Sequence, residues 1–186
     1  MEINKRHDIR LAGNGGQGVI LATIILAEAA ILSGKHTAQT GTYGPEARGG
    51  ACKAEILISD KPIGFTKVLD PTFLLVFTKK ALDRYAPRIS EGSLVMLDKG
   101  LEISPDVSPS HVITLPLLDT ARNVVGKVQT ANIVAIGAIN EFLHIASDEI
   151  LRQAVLMHVP SGSKDLNIKA LAIGKQLALD WKRDQV

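Results

Sequence analysis

Polarity along the chain changes its period several times, and each change marks an element. Ile9-Arg10-Leu11-Ala12 is a short apolar segment ending at Gly13, and Val19 to Leu32 is apolar on nearly every side, interrupted only by Thr23 and Glu28 among the residues that carry polar groups. This predicts a strand, a glycine turn and a buried helix closed by Ser33-Gly34, the opening of a βαβ unit. Thr37-Ala38-Gln39-Thr40 follows as a polar, poor strand. Cys52, Ala54, Ile56 and Ile58 then alternate with Lys53, Glu55 and Leu57, a strand with one face more polar than the other. After the turn Ser59-Asp60-Lys61-Pro62, Phe73 to Phe77 is apolar without alternation, as in a central parallel strand covered on both faces. A short helix is expected over 79–85, strands over 93–98 and 111–115, and a loop over 104–109. Beyond them the chain turns helical, over 119–125 and 130–143, with Gly126-Lys127 between. Ser147 is placed to cap a further helix whose first turn holds Asp148 and Glu149. Leu166, Ala170, Ile173, Leu177 and Trp181 make one stripe of a terminal amphipathic helix with Lys182 and Arg183 in its last turn.

Strands alternating with helices point to an α/β fold: an open, doubly wound, mostly parallel sheet with flanking helices and a helical C-terminal part. The whole chain, 1–186, suits a single domain. Hydrophobic residues make up 46% of it but aromatics only 4%, so the core must be built from Leu, Ile, Val and Ala. The formal charge is +2 and the basic residues are scattered, which argues against a nucleic-acid surface. The first eight residues lack the apolar core of a signal peptide, and the longest apolar run is too short to span a bilayer, so a cytoplasmic protein without a membrane segment is expected. A single cysteine, Cys52, can neither form an internal disulfide nor bind an iron–sulfur cluster, and reads as a small reduced hydrophobe in a strand.

Two glycine-rich stretches carry the candidate chemistry. Gly13-Asn14-Gly15-Gly16-Gln17-Gly18 has the G-x-G-x-x-G spacing between a strand and a helix. Glycines there let the backbone approach a phosphate, and the helix start offers unpaired N–H groups. A dinucleotide site also needs an acidic residue about 20 positions on. None occurs between Glu28 and Glu46, and Lys35 and His36 are the candidates for a 2′-phosphate instead. The loop therefore reads as an anion or phosphate site, or alternatively as a tight turn that packs helix against sheet. The second stretch, 41–50, holds four glycines and Pro45, and presents Tyr43, Glu46 and Arg48 from a constrained backbone. Arg48 could pair with a phosphate or with a carboxylate of another subunit.

Other catalytic patterns are missing. No nucleophile elbow, zinc-type histidine pair or Walker loop is present, and the five histidines (His7, His36, His111, His144, His158) are dispersed, His36 being the best functional candidate because it lies between the glycine stretches. Asp98 ends a strand, where either a ligand contact or an ordinary turn is served. The residues by themselves describe an anion-binding domain without a self-sufficient catalytic set.

The paired loops, taken with Lys53-Ala54-Glu55, Ala131-Asn132-Ile133-Val134-Ala135-Ile136-Gly137-Ala138 and Asn167-Ile168-Lys169-Ala170, resemble the gamma subunit of 2-oxoacid:ferredoxin oxidoreductases over nearly the whole chain. Thr42 stands where Ser is usual before the Tyr-Gly-Pro run and keeps the hydroxyl. The resemblance implies one part of a hetero-oligomer that decarboxylates a 2-oxoacid with coenzyme A, giving an acyl-CoA, CO2 and reduced ferredoxin; the form of the second loop leans to 2-oxoglutarate. It implies alpha and beta subunits carrying thiamine diphosphate, a ferredoxin-like delta subunit with iron–sulfur clusters, and ferredoxin as acceptor. No catalytic residue or metal is expected on this chain. Coenzyme A binding is expected to involve Gly13, Gly15, Gly16, Gln17, Gly18, Tyr43, Arg48 and Gly49. An independent NADP-linked reductase and a ligand-free structural subunit are the alternatives.

Overall fold

The strands β1 (Arg6–Asn14), β2 (His36–Thr42), β3 (Ala51–Ser59), β4 (Phe73–Val76), β5 (Leu94–Asp98) and β6 (His111–Leu115) form one sheet in the order β2-β3-β1-β4-β5-β6 in this computed structural model, which describes residues 6–42, 51–103 and 111–185. Tyr43, Glu46, Arg48 and Gly49, and the expected loop over 104–109, lie outside the described residues. The ladders β1–β4, β4–β5 and β5–β6 are parallel. Only β3 runs against the rest, wedged antiparallel between β1 and β2.

Helices α1 (Val19–Leu32), α4 (Ala131–Leu143), α5 (Asp148–His158) and α6 (Lys164–Arg183) cover one face of the sheet; α2 (Lys79–Tyr85) packs on the other. The short α3 (Leu117–Thr120) continues into a π-helical turn over Ala121–Val125 that Gly126 ends at φ +98°. Strand alternation assigns the side chains: Ile9 and Leu11 of β1 join the core under α1 and α4, while Ala12 joins the smaller cluster under α2. All four residues of β4 are buried, as expected of a strand covered on both faces. Ser147 caps α5 by accepting from Ile150 N. No helix among the described residues is long and apolar enough to cross a membrane.

Two details go beyond the sequence reading. The polar side of β3 is not a solvent face. Arg10 and Glu55 are both buried and paired at 2.6 Å across the β1–β3 ladder, Lys53 Nζ reaches the same carboxylate oxygen at 2.8 Å, and Arg10 also donates to Val68 O. A charge buried this way is tolerable because its partners replace water; removing one partner of such a pair costs about 3–5 kcal/mol. In α6, Leu166, Ile173, Leu177 and Trp181 do pack on the core, but the innermost line is Asn167, Ala170, Leu171, Gly174 and Ala178. Small residues lie innermost because α4 crosses α6 at backbone distance. A Cβ on Gly174 would overlap the carbonyl oxygen of Val134, and one on Gly137 would overlap that of Leu171.

Candidate anion-binding loop at the strand ends

β1 delivers its last residues, Gly13 and Asn14, to the carboxyl end of the parallel strands, and α1 leaves from Gly18. Ligands of open α/β sheets bind at this edge. The turn between them depends on glycine at two positions: Gly16 has φ +92° and Gly18, the N-cap of α1, has φ +71°. Among the described residues no side chain caps α1. Its first-turn N–H groups therefore point out of the loop with no intrahelical acceptor, and the positive end of the helix dipole adds to them. Among the described residues, nothing lies within 4 Å of where a Cβ on Gly15 or Gly16 would sit. No described residue fills that room.

Two clefts meet at the loop. One, about 350 Å3, is lined by Asn14, Gly16, Gly18, the first turns of α1 and Cys52. The other, about 280 Å3, runs from Gly16 and Gly18 past Lys127, Gln129 and Thr130 to Ser163 and Asn167. Lys127 is the exposed cation on that second wall. Periodicity gave no sign of it, because it sits in the short connection before α4. Asn132 joins the walls: it is buried, its side-chain amide donates to Gly18 O at 3.2 Å, and a Cβ on Gly18 would come within 2.5 Å of it.

The second glycine stretch springs from the same edge. Gly13 pairs with Cys52 and Asn14 with Ala51, while Thr42 pairs with Lys53. The two residues that flank 43–50, Thr42 and Ala51, thus lie beside the first loop. The structure brings Gly13, Gly15, Gly16, Gln17 and Gly18 together; Tyr43, Arg48 and Gly49 belong to the undescribed stretch. His36 and Lys35 do not join them. His36 pairs with Ser59, which pairs with Arg6, at the other end of β1. Seven residues of strand separate that end from Gly13, roughly 23 Å. Lys35 there donates to Ile145 O at 2.9 Å. Chain order placed His36 between the glycine stretches; the length of β2 carries it away.

Cys52 is buried beside the loop, and burial pushes its thiol above the usual range, so it stays protonated at neutral pH. Asp98 resolves as a structural residue. Its carboxylate accepts from Leu118 N at 2.8 Å and holds the start of α3, while burial, partly offset by those backbone bonds, raises its pKa. Among the described residues no three His, Cys, Asp or Glu side chains converge as a metal site would require.

Known proteins share this fold. The family model described as pyruvate ferredoxin/flavodoxin oxidoreductase matches residues 8–177. A 2-oxoglutarate synthase subunit KorC of Methanocaldococcus jannaschii is 41% identical over 95% of this chain and 96% of its own length. Its counterpart in Methanothermobacter marburgensis is 38% identical over 96% of this chain and all of its own. The solved keto/oxoacid ferredoxin oxidoreductase gamma subunit of Geobacter sulfurreducens superposes with a TM-score of 0.83 at 39% identity, covering 95% of this chain and 98% of that one. The 2-oxoglutarate:ferredoxin oxidoreductase of Magnetococcus marinus, solved with 2-oxoglutarate, coenzyme A and succinyl-CoA, superposes with a TM-score of 0.82 at 25% identity, and this chain spans 31% of it. With a family match over most of its length and relatives aligned nearly end to end, the chain belongs to the pyruvate ferredoxin/flavodoxin oxidoreductase family, as a gamma-type subunit of a 2-oxoacid oxidoreductase complex.

Proposed function

We propose that this subunit supplies the phosphate contacts for coenzyme A in a complex that oxidatively decarboxylates 2-oxoglutarate. The observation that carries the reading is the uncapped start of α1, where Gly15 and Gly16 leave room for an anion against unpaired backbone N–H groups. A 2-oxoglutarate substrate is supported by the names of the KorC relatives, and coenzyme A by the ligands of the Magnetococcus marinus enzyme. In this reading the 2-oxoacid loses CO2, its carbonyl carbon becomes the thioester of coenzyme A, and two electrons leave for ferredoxin. Alpha and beta subunits hold thiamine diphosphate and a ferredoxin-like delta subunit holds the iron–sulfur clusters, since this chain has one thiol and a cluster needs several. Arg48, with Tyr43 and Gly49, would complete the coenzyme A contacts or pair with a partner carboxylate, in a complex that works in the cytoplasm.

The test is kinetic and uses the intact complex. Gly16→Ala strains the φ +92° turn and is expected to raise the Michaelis constant for coenzyme A about tenfold, as the loss of one or two charge-assisted contacts would. The constant for 2-oxoglutarate should stay unchanged, because that pocket belongs to other chains. An unchanged coenzyme A constant in a fully assembled complex would remove the loop from the site.

A further inference from the structure

One amide of the loop is already occupied. Asn14 N–H donates to Gln17 Oε1 at 2.6 Å, so the side chain near the loop's far end folds back onto its first residues. The same oxygen overlaps the place a Cβ on Gly13 would take, which makes the first glycine of the motif the seat of Gln17. A backbone bond from Gln17 N to Asn14 O, 3.2 Å, closes the turn beneath it. Gln17 itself is only half-buried, between Gly16 and Gly18, which line both clefts.

We propose that Gln17 is the resident acceptor of the loop and sets its ligand specificity: a ligand gains the Asn14 amide only by displacing Gln17 Oε1. The proposal rests on the reading of this loop as the coenzyme A phosphate site. An amide oxygen is a neutral acceptor, already in place and bound within one chain. A second neutral acceptor, a carbonyl or hydroxyl, offers Asn14 N–H nothing better and brings its own ordering cost. A phosphate oxygen does. Its hydrogen bonds are charge-assisted and about twice as strong, and it gains from the dipole of α1 while Gln17 does not. The loop therefore admits phosphate esters and turns away uncharged ligands of similar size, a filter built from one side chain and the glycine beneath it.

Equilibrium titration of coenzyme A into the intact complex decides the matter, with four variants compared. Gln17→Ala and Gln17→Met remove the competing acceptor, Met keeping the side-chain length, and each should tighten binding about three- to tenfold, the worth of one hydrogen bond no longer displaced. Gln17→Glu places a fixed carboxylate at the amide and should weaken binding more than tenfold. Gly16→Ala reports on the loop as such. Weaker or unchanged binding in both Gln17→Ala and Gln17→Met, with Gly16→Ala weakened, would make Gln17 a strut and overturn this proposal alone. If all four variants bind coenzyme A as the unmodified complex does, coenzyme A does not meet the loop, and the proposed function falls with it.

Discussion

Glycine appears twice at close quarters in this molecule, and for opposite reasons. Between α4 and α6, Gly137 and Gly174 each lack a side chain because the backbone of the other helix stands where it would be. In the loop before α1, Gly15 and Gly16 lack one although no described residue stands there. The first pair is explained by the fold. In the second, the turn accounts for Gly16, held at φ +92°, but not for Gly15, and the open space beside both is where the proposed ligand would sit. Gly18 belongs to both classes, held at positive φ by the turn and pressed by Asn132 from the side.

The largest effect should come from the helix pair. Gly174→Ala or Gly137→Ala forces backbone against backbone, which no rotamer change relieves, and should cost about 3 kcal/mol or more in a denaturant titration. Complex assembly would fail with it. Gly18→Ala comes next: a left-handed alanine costs about 1–2 kcal/mol and the contact with Asn132 adds to it. A double-mutant cycle with Asn132→Ala should recover the contact part but not the backbone part; full additivity would show that the two residues do not press on one another. The smallest effect on stability, and the most informative, belongs to Gly15→Ala. Gly15 has no positive φ and no neighbour among the described residues, so stability should hold within about 0.5 kcal/mol or rise slightly. The Michaelis constant for coenzyme A should nevertheless increase. A stable variant with normal coenzyme A kinetics would erase the distinction between the two kinds of glycine.

Much of the fold could be read directly. The helix over 79–85 and the strand over 111–115 coincide with α2 and β6, and the unbroken apolar run from Phe73 proved to be a strand buried on both faces. Local patterns sufficed there because burial on both faces, or on one, writes itself into the order of side chains. They failed where the deciding neighbour is distant in sequence. The polar face of β3 looks solvated until Arg10, 45 residues away, is placed opposite Glu55. The stripe on α6 was drawn through Leu166, Ala170, Ile173, Leu177 and Trp181, whereas the closest backbone approach to α4 falls at Gly174, off that stripe; volume, not hydrophobicity, selects that position. His36 seemed close to the loop because chain distance ignores the direction in which a strand travels. The glycine loop was legible as geometry, but Gln17 closing over Asn14 was not, since no spacing rule says which way a side chain folds.

The lone thiol of the chain has a practical use. Cys52 sits opposite Gly13 in the β1–β3 ladder, buried, and borders the larger cleft. A thiol in that position reacts with an alkylating reagent only when the ladder opens or the cleft clears. Its rate of modification in native buffer is therefore a clock for breathing at the edge of the loop. Read by mass on this chain, the signal has no second cysteine to confuse it, and a ligand seated above Cys52 should slow the clock.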